Sequence, residues 1–371
     1  MRIAINCRSF LKRQYTGIGR YTYHLVKSLS ECVKDNEYQL YVPKGLFGFK
    51  KKFPNFKVKN FISRVDRFNR GPARTLKNVD VYHCPSPGPL EAPIGAKIIV
   101  TVHDVIIKAF PDGHTQQTIE TGLNQFEELK DKASKIICCS KSTVHDLKRF
   151  FQVPDEKIAL VYQGVDKEIF YTLKKDDEWI ADQWLTRIGV KAPFLLSVGT
   201  IEPRKNLINC IHAFNRLRVE GKFLGTLVIV GMKGWMRSNI ETLIDELKLR
   251  AHIVFLGYIS DRELCYLYNK TEVFVFPSFY EGFGFPIVEA FCCGAPVVTS
   301  NVSSCPEIAA DAALTVNPSS IGDIAEAINR IIQDHALRDS LKGKGSKRAG
   351  DFDFRKTACE TLKVYEEVCG V

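Results

Sequence analysis

One pattern limits this fold more than any other: strand-length apolar runs alternate with longer amphipathic stretches along nearly the whole chain. Residues 2–7, 38–42, 79–83, 97–102, 135–139 and 158–162 have the apolar make-up of buried strands. Stretches with helical period lie between several of them, such as 19–33 and 116–133. Strands that alternate with helices imply a parallel sheet covered on both faces. The expected class is therefore α/β, with a doubly wound parallel sheet. The pattern restarts at 194–198 and continues through 227–230, 253–255, 273–276, 296–299 and 313–316. A charged stretch, 174–178, and a predicted helix, 179–188, separate the halves. A chain of 371 residues is long enough for two domains. The first is expected over 1–189 and the second over 190–371, with a last helix (355–368) able to cross back to the first. Two such domains facing each other form a cleft at the C-terminal ends of their strands, so chemistry is sought in loops that follow strands.

Composition narrows the class further. Hydrophobic residues make up 45% and charged residues 25%, as in a soluble globular protein. No apolar stretch approaches the roughly 20 residues of a membrane-spanning helix. The opening run reads as a first strand rather than a signal peptide. The twelve cysteines include no Cys-x-x-Cys pair, and most lie in apolar patterns. They are expected to be reduced thiols packed as small hydrophobes, in a cytoplasmic protein. The net charge of +10 is concentrated near the N-terminus. Residues 1–77 hold eighteen Lys or Arg against four Asp or Glu. The cluster includes Lys12, Arg13, Lys50, Lys51, Lys52, Lys57, Lys59, Arg64, Arg67, Arg70, Arg74 and Lys77. Such a face suits an anionic leaflet, a lipid-linked diphosphate or nucleic acid, and equally a merely solvated surface.

Four loops carry candidate chemistry. In Thr200-Ile201-Glu202-Pro203-Arg204-Lys205-Asn206, two cations stand where a helix begins, an arrangement suited to a diphosphate. In 277–286, Gly282 and Gly284 allow a sharp turn that brings bare backbone near a ligand, and Pro286 suits a first helical position. Glu281 in that loop and Glu289 on the following helix can each accept two hydrogen bonds from a vicinal diol. Thr16-Gly17-Ile18-Gly19-Arg20-Tyr21 fits either a backbone approach to phosphate or a plain helix entry. His103-Asp104 follows the strand 97–102, at the end where a histidine faces the cleft. Ser140 is expected to cap the next helix.

As an ordered set, these segments resemble the retaining glycosyltransferases of family 4, whose architecture, GT-B, has two Rossmann-like domains. The resemblance rests on Gly17-Ile18-Gly19-Arg20-Tyr21, His103-Asp104, Gln163-Gly164-Val165-Asp166 and Ser197-Val198-Gly199-Thr200 through Arg204-Lys205-Asn206-Leu207. It continues with Phe255-Leu256-Gly257-Tyr258, the Glu-x7-Glu run Glu281 to Glu289, Gly294-Ala295-Pro296-Val297-Val298 and Pro306-Glu307. Thr16 stands where the family often has a glycine. Among subgroups the chain looks most like bacterial polysaccharide mannosyltransferases. Asp351-Phe352-Asp353 matches the Asp-x-Asp of metal-dependent sugar transferases, but its place before the last helix suits capping.

The resemblance implies roles. Arg204 and Lys205 hold the diphosphate, Glu289 the ribose, and Gly257 and Tyr258 the base. Glu281, with the backbone of Gly282, Phe283, Gly284 and Phe285, holds the donor sugar. Thr200 lies in the donor loop, Gly17 and Gly19 approach the phosphate, and His103 contacts donor sugar or acceptor. His103, Arg204, Lys205 and Glu281 are the expected catalytic set. The anomeric configuration is retained by front-side attack, with no metal, cofactor or protein base. The first donor is GDP-mannose, with a UDP-sugar (glucose, galactose or N-acetylglucosamine) next. The acceptor is a glycan or lipid-linked sugar at the inner face of the plasma membrane, and no nucleic-acid partner is expected. A nucleotide-sugar 2-epimerase and a non-catalytic sugar- or lipid-binding module are the rival readings.

Overall fold

The computed structural model describes residues 1–11, 17–32, 36–43, 60–66, 68–88, 90–232 and 237–371. Thr16, Lys12, Arg13, Lys50, Lys51, Lys52, Lys57, Lys59 and Arg67 lie outside the described residues. The chain forms two compact units: Met1–Gly164 with Phe352–Val371, and Val165–Asp351.

Among the described residues, the first unit holds a seven-stranded sheet. Its strands are β1 (Arg2–Asn6), β2 (Glu37–Pro43), β3 (Phe61–Asp66), β4 (Val81–Cys84), β5 (Lys97–Val102), β6 (Lys135–Cys138) and β7 (Ile158–Leu160). They lie in the order β3-β2-β1-β4-β5-β6-β7, all parallel. Successive side chains on a strand point to opposite faces. Accordingly Ile3, Ile5, Val81, Ile99 and Ile137 enter one core, and Ala4, Tyr82, Val100, Val102 and Ile136 enter the other. Both faces are buried, which accounts for the continuous apolar runs.

The second unit holds β8 (Phe194–Val198), β9 (Thr226–Val230), β10 (Ile253–Gly257), β11 (Val273–Phe276), β12 (Val297–Ser300) and β13 (Leu314–Val316). Their order is β10-β9-β8-β11-β12-β13, again all parallel.

The division between units falls after Gly164, not near 190. The segment after it packs on the second unit. Leu173 N–H donates to Asn269 (2.9 Å), Trp184 Nε1 donates to Glu263 (3.0 Å), and Lys270 pairs with Asp182 (2.9 Å). A helix that buries one apolar face does not reveal in its own sequence which sheet it covers. The last helix, Phe354–Cys369, packs on helix Gly17–Cys32 of the first unit, with Ala358 and Tyr365 in that core.

Tyr365 begins a buried polar chain. Its hydroxyl meets His83 Nδ1 (2.6 Å), His83 Nε2 meets Thr101 Oγ1 (2.8 Å), and Thr101 meets the Tyr21 hydroxyl (3.2 Å). Burial, reinforced by nearby His103, pushes the His83 imidazole from 6.5 down to about 3. The unfolded chain therefore takes up this proton first. The stability supplied by neutral His83 is complete above about 6.5 and is lost as pH falls toward 3. Chemical denaturation between about pH 6.5 and 5, above most carboxylate titrations, should show declining stability. His83→Gln should flatten that slope; an unchanged slope would assign the decline to other groups.

Candidate active site

In the second unit the order of strands reverses between β8 and β11, which pair at Leu195–Val273 and Leu196–Phe274. β8 leads through helix Leu207–Val219 to β9 on one side. β11 leads through helix Phe285–Cys292 to β12 on the other. Connections that leave in opposite directions open a crevice at the C-terminal ends of the two strands. Arg204 and Lys205 stand in the first connection, in the short helical turn Pro203–Lys205, and Glu281 stands in the second.

The three meet across that point. Arg204 Nη1 donates to Glu281 Oε2 (2.7 Å) and to the Tyr280 carbonyl (3.1 Å). Lys205 Nζ donates to Glu281 Oε1 (2.6 Å), and Arg204 Nη2 pairs with Glu202 (2.7 Å). Lys205 also lies over the Phe276 ring, 4.8 Å from its centre. All three side chains are largely buried. Burial alone would raise the Glu281 carboxyl, but Arg204 and Lys205 outweigh it and hold it at about 2. Burial and Arg204 push the Lys205 ammonium down, and Glu281 pulls the other way. Two carboxylates and two cations thus balance within one cluster. A carboxylate accepts at four positions and an ammonium donates three times, so each keeps capacity for a ligand.

Hydroxyls hold the second loop. Ser303 Oγ accepts from Glu281 N–H (3.1 Å) and donates to Glu281 O (2.6 Å). Ser304 Oγ lies 2.9 Å from both Glu281 O and Phe283 O, and Ser300 Oγ donates to Ser278 O (2.6 Å). Phe279 N–H donates to the Arg204 carbonyl (2.7 Å), stitching the two connections together. Gly282, Phe283 and Gly284 are buried, and Phe285 is half-buried beside Phe283. Gly284 caps the helix at φ 102°, a conformation that favours glycine. Phe285 is the first helical residue, so Pro286 takes the second position rather than the first.

Glu289 follows on a helix whose Ile287, Val288, Ala290 and Phe291 are all buried. It is itself only 5% exposed and accepts from the Tyr268 hydroxyl (3.1 Å). A carboxylate is seldom buried without partners or a task. Also at the C-terminal ends of their strands, Thr200 is half-buried after β8, and Gly257 closes β10 with its carbonyl accepting from Gly231 N–H (2.9 Å). Tyr258, next in sequence, is exposed.

In the first unit, Gly17 and Gly19 fall in the first turn of helix Gly17–Cys32, and a Cβ on Gly17 would meet nothing. His103 follows β5. Its Nε2 faces the Pro85 carbonyl (2.7 Å) and so carries the proton, and Nδ1 faces Gln163 Nε2 (2.7 Å). Tyr21 packs edge-on against the ring. Burial lowers its proton affinity, against the Pro85 contact, and favours the neutral ring. With both nitrogens engaged by protein, His103 is poorly placed as a general base.

Several partners escape sequence reading: Glu202, Ser300, Ser303, Ser304 and Tyr268. The rule that functional loops follow strands, applied to β12, points to Ser303-Ser304. Ser140 accepts from Thr143 N–H (3.1 Å) and caps helix Lys141–Phe151. Asp353 accepts from Arg355 N–H (2.7 Å) and caps the last helix, while Asp351 pairs with Arg348. The eleven described cysteines are free thiols, most of them buried. Among the described residues, no group of three or more His, Cys, Asp or Glu is placed to hold a metal.

Comparison with known proteins agrees with this geometry. The family model for glycosyl transferases group 1 matches residues 182–348, and that for glycosyltransferase family 4 matches residues 15–169. O-antigen chain mannosyltransferase B of Escherichia coli is 29% identical over 96% of this chain and 97% of its own. Among solved structures, sucrose-phosphate synthase from Thermosynechococcus elongatus superposes with a TM-score of 0.80 at 21% identity, covering 100% of this chain and 99% of that one. Anabaena HepE, in complex with UDP and glucose, superposes at 0.72 with 18% identity and 98% coverage of both chains. Two parallel Rossmann-like units, an ion cluster at the strand reversal of the second, and family models that together cover most of the sequence lead to one conclusion: the chain is a GT-B glycosyltransferase of family 4.

Proposed function

We propose that this glycosyltransferase moves a hexosyl residue, mannose from GDP-mannose as the first reading, to a glycan or lipid-linked acceptor in surface polysaccharide synthesis. The observation that carries the reading is the Arg204–Lys205–Glu281 cluster at the strand reversal. Mannose is supported by the resemblance to an O-antigen chain mannosyltransferase. A UDP-sugar is the second reading, supported by the UDP and glucose of the Anabaena neighbour.

Lys205 and Arg204 bind the diphosphate, and their charge stabilises the leaving group as it departs. Glu281 holds both cations in place beforehand, so little reorganisation accompanies departure. The same carboxylate, with the backbone from Gly282 to Phe285, orients the sugar hydroxyls, and Glu289 takes the ribose diol. Gly257 and Tyr258 border the base, and Thr200 borders the phosphates. His103 contacts sugar or acceptor through its ring. The acceptor hydroxyl attacks from the side of the departing phosphate and gives its proton to a phosphate oxygen. The anomeric configuration is retained, without a metal, cofactor or protein base. The neutral, doubly engaged state of His103 supports a mechanism in which it takes no proton. The protein works at the cytoplasmic face of the membrane.

Lys205→Ala should lower turnover by about a hundredfold or more; near-normal turnover would reject its role. Product NMR should show the donor's anomeric configuration and rates unaffected by chelator, whereas inversion or a chelator-killed rate would sink the mechanism. Donor incubated alone should yield no isomeric nucleotide sugar, and its appearance would favour the epimerase. Glu281→Gln removes the carboxylate from two buried cations and should cost about 3 kcal/mol of stability. Denaturant melts of Glu281→Gln, Lys205→Met and the double variant check this: strong non-additivity is expected, and additive losses would mean the pair is uncoupled.

A further inference from the structure

His103 is held by neighbours that take no part in the ion cluster of the second unit. The Pro85 carbonyl can only accept, so the ring proton sits on Nε2, 2.7 Å from it. Burial favours the neutral ring, which leaves Nδ1 a bare acceptor. Gln163 Nε2 faces that nitrogen at 2.7 Å and donates to it. The amide cannot turn over without setting its own oxygen against the Nδ1 lone pair. It keeps this orientation although Oε1 is buried and has no hydrogen-bond partner among the described residues. A buried carbonyl without a donor costs free energy, and the bond to His103 is what offsets it.

Gln163 is itself fixed on both sides, and is only 1% exposed. Before it, the Tyr162 carbonyl accepts from Thr357 Oγ1 (2.8 Å). After it, Gly164 lies so close to the start of the last helix that a Cβ would run into the backbone of Asp353 and Phe354. Only glycine permits that approach. The same helix reaches His103 by a second route. Tyr365 begins the chain through His83 and Thr101 to Tyr21, whose ring packs edge-on against the imidazole with centres 4.9 Å apart. Helix Phe354–Cys369 thus braces His103 twice, at Nδ1 through Gln163 and at the ring through Tyr21.

We propose that Gln163 is a positioning residue for sugar transfer: it holds His103 as the neutral Nε2–H tautomer and fixes which edge of the ring meets the sugar or acceptor. With an acceptor facing Nε2 and a donor facing Nδ1, a single tautomer satisfies both neighbours. A ring so held cannot rotate to offer either nitrogen elsewhere without breaking a buried hydrogen bond. The inference rests on the reading that His103 contacts sugar or acceptor, and it names the residue that aims it.

The test reads the ring directly. Proton–nitrogen correlation spectra of the full chain, labelled in the histidine ring nitrogens, are assigned by the signals lost in His103→Asn. Near neutral pH they should show a proton on Nε2 and a bare, hydrogen-bonded Nδ1. Gln163→Glu keeps the shape of the side chain but presents an acceptor, and should draw a proton onto Nδ1. Gln163→Leu removes the donor, and should move the Nδ1 signal to that of an unbonded nitrogen. Turnover should fall about tenfold or more in both variants. GDP and UDP should bind as tightly as to the parent, because the residues proposed to hold them lie in the second unit. A parent ring with its proton on Nδ1, or ring signals unchanged in both variants, would overturn the proposal. Because the spectra need no substrate, that result would stand whatever donor the enzyme uses. Altered ring signals with parental turnover would overturn the role in transfer, and with it the reading that His103 meets sugar or acceptor. Gln163→Glu, close in size to the parent side chain, keeps the test open if Gln163→Leu fails to fold.

Discussion

The pairing of β8 with β11 is the constraint on which the candidate site depends. It joins Leu195 to Val273 and Leu196 to Phe274, and beyond it the two connections leave for opposite sides of the sheet. Charges from positions 76 and 77 residues apart are brought together there. Neither cation could be buried alone, because desolvation would push Lys205 to shed its proton and leave the permanently charged Arg204 without compensation. The Glu281 carboxylate makes the burial tolerable, and the Phe279–Arg204 backbone bond fixes how far apart the connections stand. The serines behind the loop then decide where that carboxylate sits. Sheet topology, ion pairing and hydroxyl clamping are successive consequences of one strand reversal.

Two buried polar groupings, one in each unit, are stabilised by different means. In the first, the Tyr365–His83–Thr101–Tyr21 chain is built from groups that can be neutral, and burial keeps the histidine so. In the second, Glu281, Arg204 and Lys205 are buried together, with Glu281 held as the anion. Neutral chains give fixed geometry at small electrostatic cost. Charged clusters keep a strong field pointed at one place.

Much of the fold was legible because strands buried on both faces must be apolar throughout. The runs 97–102, 194–198 and 273–276 coincide with β5, β8 and β11. β3 left no such trace, since four of its six residues are exposed. The division at Gly164 was hidden for another reason: helix Lys175–Arg187 buries Ala181, Trp184 and Leu185, but an apolar stripe does not name the sheet it covers, and only the contacts of Trp184 and Asp182 show it. Motif order brought out Arg204, Lys205, Glu281 and Glu289. It could not reveal that the first three bind one another, because ion pairing across separate connections leaves no spacing signature. Ser303 and Ser304 act through backbone groups, which every residue has, so their role appears only when the loop is seen folded.

The last helix carries a consequence for how the molecule is made. Residues 352–371 complete the core of the first unit, resting against helix Gly17–Cys32, yet they follow the whole of the second unit in sequence. During synthesis, the second unit emerges with all its strands before the first has its covering helix. The first sheet must therefore wait, with the face later covered by Phe354, Ala358, Val364 and Tyr365 open to solvent. Until helix Phe354–Cys369 has itself been made and docks, that face stays uncovered. Order of assembly on the ribosome is thus the reverse of order in the gene: the unit encoded first is the one finished last.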